Sequence, residues 1–391
     1  MRILAIETSC DETAVSIIEA TGQFPEATYE LLGTGLASQI EIHREYGGVF
    51  PQIAKREHAK ALVPMLKTAL EEAELLAAGE TEVDETQSAK IREILSREEG
   101  LADAFLDFLK THDLPEIDLI AVTNGPGLEP ALWVGISFAK ALAEVLHCGV
   151  VPTNHMEGHI LASIFDVSHD NQLSPINFPA IALLISGGHT EIIKMTKWTH
   201  YEKIGQTRDD AVGEAFDKVA RLLGLPYPGG PEISKLAAKA RKEKLPAFGD
   251  KPLPLPMIHS GDLDFSFSGL KTAVLYAIKD KELTDNEKAA VARDFEETVA
   301  EVLLAKVTKA INEVGALTLI VGGGVSANTY LRQFITSSLL TSHPEVEVYF
   351  PHRHLSTDNA VMIALAAHAH AATARTAGSI GLIQAEGNRS L

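Results

Sequence analysis

The sequence predicts an α/β protein assembled from two copies of one βββαβα unit. Three observations carry that prediction. The chain opens on three successive strand patterns, at 3–7, 14–19 and 31–38, and then turns to helix, strand and helix. The same order of elements returns after Phe178. Three of the strands run into glycine-bearing turns, one in the first half of the chain and two in the second.

In the first half, the polar run Thr8-Ser9-Cys10-Asp11-Glu12-Thr13 joins the first two strands as a hairpin. Apolar residues at helical spacing place a long helix at 53–76. A strand at 117–123, the turn Asn124-Gly125-Pro126-Gly127 and a helix at 131–146 complete the unit. The second half reads as strands at 180–186, 190–195 and 201–204, then a helix at 213–223. A helix at 287–314, a strand at 317–321, the turn Gly322-Gly323-Gly324 and a helix at 327–340 follow. A strand at 346–350 and a helix at 359–374 close the chain. This duplicated order resembles the actin, sugar-kinase and heat-shock-chaperone ATPase superfamily, which implies two lobes around a nucleotide cleft. The expected lobes are 1–150, carrying an acidic insertion at about 77–112, and 151–391. The insertion reads as a solvated helical excursion, and the four prolines of 245–256 read as a surface loop.

A formal charge of −19 excludes a protein that coats nucleic acid by bulk electrostatics, though a local basic patch could still grip RNA. Two cysteines, Cys10 and Cys148, exclude a disulfide framework and a four-thiolate zinc site. Met1 runs almost directly into a strand, and the longest apolar helical stretch, near 360–374, is too short to span a bilayer. The expected location is the cytoplasm, with no membrane partner.

The chemistry concentrates in a few short runs. His155 and His159, four apart after a buried strand, would share one helix face where a single metal ion can take both. Asp358 could add the carboxylate that completes a His-His-Asp set. The plainer readings are structural: Asn154 with Glu157 as a helix-start capping pair, and Asp358 as the cap of the last helix. Ser186-Gly187-Gly188-His189-Thr190 and Gly322-Gly323-Gly324-Val325-Ser326-Ala327-Asn328 let backbone amides approach a phosphate closely. Neither is a P-loop or a dinucleotide fingerprint. Asp217 could grip a ribose or a substrate hydroxyl, or simply face solvent. Asp11 and Glu12 are either a turn pair or acidic residues near phosphates.

Seven runs stand together in one order: 7–13, 155–159, 186–190, 213–218, the octapeptide Asp264-Phe265-Ser266-Phe267-Ser268-Gly269-Leu270-Lys271, 322–328 and 357–359. In this they resemble the universal tRNA N6-adenosine threonylcarbamoyltransferase family, bacterial type, over nearly the whole chain. The resemblance implies a divalent metal ion, iron or zinc, at His155, His159 and Asp358. It implies a donor pocket of Leu184, Ile185, Ser186, Gly187, Gly188, Asp217, Gly230 and Asn328. The implied reaction moves a threonylcarbamoyl group from threonylcarbamoyl-AMP to N6 of adenosine 37 in ANN-decoding tRNA, with ATP or ADP using the same cleft. Asp11 or Glu12 would then handle the proton of the attacking amine. The implied partners are tRNA, a paralogous ATPase-fold subunit and a small P-loop ATPase. Departures from the family pattern are Asn154, where many members place another histidine, Glu129-Pro130, and the tail beyond Ile380.

Two runs are candidates for gripping tRNA: Lys235, Lys239, Arg241, Lys242 and Lys244, and Lys55-Arg56 with Lys60. Two rival functions stand beside the transferase. A non-catalytic ATPase-fold scaffold would lack the metal set. A metallopeptidase would place its general-base Glu next to the first His, whereas Glu157 lies roughly 200° round the helix from His155.

Overall fold

The computed structural model describes residues 1–167, 170–249, 251–376 and 378–391. It divides into two units, Met1–Ser174 with Asp358–Leu391, and Pro175–Thr357.

In the first unit, β1 (Arg2–Glu7), β2 (Glu12–Thr21) and β3 (Thr28–Ser38) form an antiparallel meander. Two helices follow, α1 (Ile40–Arg44) and α2 (Pro51–Glu72). Next come β4 (Ala77–Ala78), α3 (Glu85–Ile94), α4 (Leu101–Leu109) and β5 (His112–Asp113). Then β6 (Leu119–Gly125), α5 (Glu129–Leu146) and β7 (Gly149–Asn154) add two strands parallel to β1. Helix α6 (His155–Ile164) and the short strands β8 (Phe165–Asp166) and β9 (Gln172–Leu173) finish the sheet. Its strand order is β7-β6-β1-β2-β3-β9-β8. β1 and β6 are almost wholly buried, as parallel strands covered on both faces must be. Leu4, Ile6, Val15 and Ile17 share one core with α2 and α5.

The second unit repeats the plan. β10 (Ala180–Ile185), β11 (Thr190–Lys197) and β12 (His200–Gln206) are antiparallel. Three helices follow, α7 (Val212–Leu222), α8 (Gly229–Glu243) and α9 (Ser268–Ile278). The long α10 (Asp285–Val314) starts on a Thr284–Glu287 capping box. β13 (Thr318–Gly322) joins β10 in parallel, α11 (Thr329–Ser342) follows, and β14 (Glu347–Tyr349) pairs with β13. The sheet order, β12-β11-β10-β13-β14, matches that of β3-β2-β1-β6-β7, so the duplication read from the sequence is a duplication of topology.

The last helix, α12 (Ala360–Ala369), is apolar all round and is buried against β1, β2, β7 and α6 of the first unit. The compact units therefore differ from the expected 1–150 and 151–391 lobes. Strand β7 with α6 completes the first sheet, and α12 returns to cover it.

The acidic insertion also differs from its expected form. Ile91, Leu95, Leu101, Phe105, Leu106, Phe108 and Leu109 are buried in the first unit's core. The acids occupy the outer sides of α3 and α4, and the apolar stripe between them anchors both helices. Helices α8 and α9 are additional to the elements expected from the sequence, and their starts, Pro228-Gly229-Gly230-Pro231 and Ser268-Gly269, hold residue types that break helix interiors. Both breakers fall in a first helical turn, where a missing N–H or a missing Cβ costs little. The described residues of the proline-rich 245–256 segment, 245–249 and 251–256, form a loop, and Phe248, Leu253 and Leu255 rest against the second core. Among the described residues, no helix is long and apolar enough to cross a membrane.

Phe105 is fully buried, edge-on to Phe138 at 5.2 Å. Phe105→Ala should therefore lower unfolding free energy by about 3–5 kcal/mol in denaturant titration; a solvated excursion would give almost no change.

Candidate functional site

Helix α6 starts abruptly out of β7. The Asn154 side-chain oxygen accepts the N–H groups of Met156 and Glu157, at 2.9 and 3.3 Å, and caps the helix. One turn then brings His155 and His159 together, with ring centroids 4.7 Å apart. Helix α12 is capped by Asn359, whose side chain accepts the Met362 N–H at 3.0 Å. Asp358 is thus not the cap, and its carboxylate turns to the histidines. Its Oδ1 lies 3.5 Å from His155 Nε2 and 3.2 Å from His159 Nε2.

The three ligand atoms lie within 4.8 Å of one another. Ligands on one tetrahedral ion stand about 3.3–3.6 Å apart, given metal–ligand bonds of roughly 2.0–2.2 Å. His159 is buried, and its Nε2 makes no hydrogen bond of acceptable geometry, the nearby Asp358 oxygen included. A buried imidazole nitrogen without a partner, aimed at a carboxylate and a second imidazole, is what a bound cation would satisfy. These residues fit a metal ion.

The next layer out fixes the ligands. Glu7, at the end of β1, is fully buried and reaches His155 Nδ1 at 3.3 Å. Its other oxygen accepts the Ser9 N–H at 2.6 Å, and Thr123 on β6 donates its hydroxyl to the carboxylate. Ser9 Oγ lies 3.2 Å from the same imidazole nitrogen. With Nδ1 engaged, Nε2 is the nitrogen left facing Asp358. Burial alone would push His155 down, but Asp358 and Glu7 outweigh it and raise the imidazole to about 9. Burial dominates at His159 and lowers it. The chain's own charges therefore call for one positive charge here, which a proton or a metal ion can supply.

Glu157 departs from the capping role read in the sequence. Both of its carboxylate oxygens lie 2.9 Å from His370 Nε2.

Asp11 and Glu12 stand in the field of Asp358. Burial, Asp11 and Asp358 raise Glu12 to about 10, so it carries a proton at neutral pH. Burial also raises Asp11, although its hydrogen bond to Glu12 opposes the shift. Such a pair shares a proton, and Asp11 is the better acceptor of the two. The hairpin holding them is braced from behind. Buried His58 touches Thr13 Oγ1 at 2.7 Å and the Cys10 carbonyl at 3.0 Å. Across from it, a Cβ on Gly127 would stand 2.7 Å from the Ser9 carbonyl oxygen, so only glycine permits that approach.

In the second unit, the sequence-predicted donor residues fall into three groups. The side chains of Leu184 and Ile185 are fully buried in β10, so these residues can offer a ligand only their backbone. Gly187, Gly188 and Gly230 have open space where a side chain would be. Ser186, Asp217 and Asn328 are engaged by protein. The Ser186 carbonyl accepts the Gly213 N–H at 3.1 Å, and Asp217 Oδ1 accepts the Gly229 N–H at 2.7 Å. Asn328 donates to Glu296 at 2.7 Å and to Ser234 at 2.9 Å while capping α11. The structure does gather the turns: Gly323, at φ +87°, has its Cβ direction 2.5 Å from the Ile185 carbonyl oxygen.

The 55–60 cations are neutralised by carboxylates, whereas in the 235–244 run only Arg241 is, and Lys235, Lys242 and Lys244 are exposed. Arg241 pairs with Glu296 and Glu297 and lies 3.5 Å over the Tyr330 ring. Lys55 pairs with Glu98, and Arg56 and Lys60 pair with Glu57. The sequence reading missed Glu7, Ser9 and His58. A visible signal for the first was a carboxylate ending an otherwise apolar buried strand.

A family model described as tRNA N6-adenosine threonylcarbamoyltransferase matches residues 30–80 and 98–365. Curated proteins of that name align over almost the full chain. The one from Polynucleobacter necessarius subsp. necessarius is 42% identical over 376 residues, covering 94% of this chain and 91% of its own. That from Aromatoleum aromaticum is 40% identical, covering 97% and 94%. That from Burkholderia thailandensis is 42% identical, covering 94% and 91%.

Glu12 also makes a pH prediction. Its folded-state value of about 10 lies above its ordinary 4.5, so the unfolded chain loses this proton first. Metal-free protein should therefore lose stability as pH rises through that window, and Glu12→Gln should flatten the loss. Thermal melts of the chelated protein across pH, with equal slopes for both forms, would contradict the assignment.

Proposed function

The chain belongs to the tRNA N6-adenosine threonylcarbamoyltransferase family, and from that premise we propose that it transfers a threonylcarbamoyl group from threonylcarbamoyl-AMP to N6 of adenosine 37 in ANN-decoding tRNA. The observation that carries the reading is the set His155, His159 and Asp358 with its partnerless buried Nε2. In the reaction, the adenine amine forms a bond to the carbamoyl carbon, AMP departs with the bonding electrons, and the amine proton goes to a base.

An iron or zinc ion held by the three ligands would act as a Lewis acid toward the acyl group. Glu7 holds His155 in the tautomer that presents Nε2. Asp11 takes the amine proton, while protonated Glu12 keeps a second negative charge away from it. Backbone amides of the Ser186–Gly188 turn and the Gly322–Gly324 turn hold the donor's phosphate, and ATP or ADP could use the same amides. Orientation and fixed dipoles then supply most of the acceleration. A cytoplasmic setting fits this substrate, and a paralogous ATPase-fold subunit and a small P-loop ATPase are the proposed protein partners.

A metallopeptidase is disfavoured, because Glu157 is held by His370 rather than beside the first ligand. A scaffold would not need the buried ligand set.

Reconstitution with tRNA, threonine, bicarbonate, ATP and the donor-forming synthase, read by mass spectrometry of the nucleosides, tests the proposal. His159→Ala should abolish the modified nucleoside while circular dichroism stays native; undiminished product would refute the role of the set. Glu7→Gln should weaken metal affinity by roughly 10–100-fold, measured by chelator competition, and an unchanged affinity would remove Glu7 from the account.

A further inference from the structure

Outside these sites, Arg332 and Arg353 form a cluster of positive charge that no carboxylate among the described residues offsets. Arg332, on α11, donates to the Ser326 carbonyl at 2.5 Å and to Ser356 Oγ at 2.8 Å. Its guanidinium lies 5.2 Å over the Phe350 ring. Ser356 in turn donates to the His352 carbonyl at 3.2 Å, which fixes the His352-Arg353-His354 run beside it. All three residues of that run are exposed, and the two imidazoles are 5.2 Å apart. Burial and the charge of Arg353 together disfavour the charged form of Arg332, which places the two guanidiniums within each other's field. Among the described residues, neither arginine has a salt-bridge partner.

Two like charges held together with no acid between them cost stability. In a chain of net charge −19, carboxylates are plentiful and could have filled this gap. Of the runs singled out from the sequence, Arg241, Lys55, Arg56 and Lys60 are spent on carboxylates, while the exposed Lys235, Lys242 and Lys244 are single charges on flexible stems without a planar fork. The exposed Arg353 guanidinium, flanked by two imidazoles and backed by the charge of Arg332, suits a phosphate oxyanion, which its planar fork can bind bidentately. The exposure of three consecutive residues suits a long anion passing over the surface, not a small one enclosed in a pocket.

We propose that Arg332, Arg353, His352 and His354 form a phosphate-binding site for the backbone of the RNA substrate. The proposal rests on the tRNA-modifying function above and adds a place where this acidic protein grips its acceptor. Arg332 is the fixed member, locked by Ser326, Ser356 and Phe350, and Arg353 is the exposed member that meets the phosphate.

The test uses the full chain with the partners that support activity. Unmodified tRNA binding is measured over a salt series, and steady-state rates are measured against tRNA and against threonylcarbamoyl-AMP separately. Arg353→Glu should weaken tRNA binding about tenfold and reduce the steepness of the log–log salt dependence by about 1. It should raise KM for tRNA and leave kcat and the donor KM unchanged. Arg353→Lys, which keeps the charge, should retain most of the affinity, and a His352→Ala, His354→Ala double variant should show a smaller loss. Unchanged tRNA affinity and salt slope in Arg353→Glu would overturn the proposal. So would a defect confined to the donor KM, which would make this a nucleotide-phosphate site. If the unaltered protein neither bound nor modified tRNA, the parent function would fall instead, and these variants would have nothing to alter.

Discussion

The buried carboxylate of Glu7 is the constraint on which the first unit's chemistry depends. It ends β1, is fully buried, and is shared among the Ser9 amide, the Thr123 hydroxyl on β6 and the His155 imidazole at the start of α6. A buried carboxylate is tolerable only when its lone pairs are filled. Filling them ties two parallel strands, the first hairpin and the metal-bearing helix to one another. Burial pushes Glu7 up, but the charge and hydrogen bond of His155 hold it below the ordinary carboxylate value. The same bond that stabilises Glu7 turns Nε2 of His155 toward Asp358.

Around that point the protein has gathered more negative charge than it can comfortably ionise. Asp358 raises Asp11, Glu12 and the Cys10 thiol in addition to the burial of each. His155 responds by holding a proton far above its ordinary range. A divalent cation would displace that proton and relieve the crowded acids in one event. Stability, proton inventory and metal affinity are therefore linked here, and a change at any of these acids should be felt at the others.

Much of this was legible in the sequence, for identifiable reasons. The duplicated plan followed from strand and helix periodicity, because covered parallel strands such as β6 and β13 must be continuous apolar runs. The pairing of His155 with His159 followed from one helical turn. The choice between Asp358 as ligand and as cap could not be settled from the sequence, because both roles use the same residue types; Asn359 took the cap and left Asp358 to the histidines. The capping reading of Glu157 failed for a different reason: its partner His370 is distant in sequence. The insertion was misjudged because its run of acids drew the reading toward solvent, although the spacing of its apolar residues decides what is buried. The return of α12 to the first unit is a tertiary fact that no local pattern encodes.

The most direct measurement is anomalous scattering from crystals of the metal-loaded protein, collected on either side of the metal's absorption edge. The account predicts one peak at bonding distance, roughly 2.0–2.2 Å, from His155 Nε2, His159 Nε2 and an Asp358 oxygen, with His155 Nδ1 still on Glu7. A peak bound through other residues, or none at this position in protein that retains its metal and activity, would contradict it.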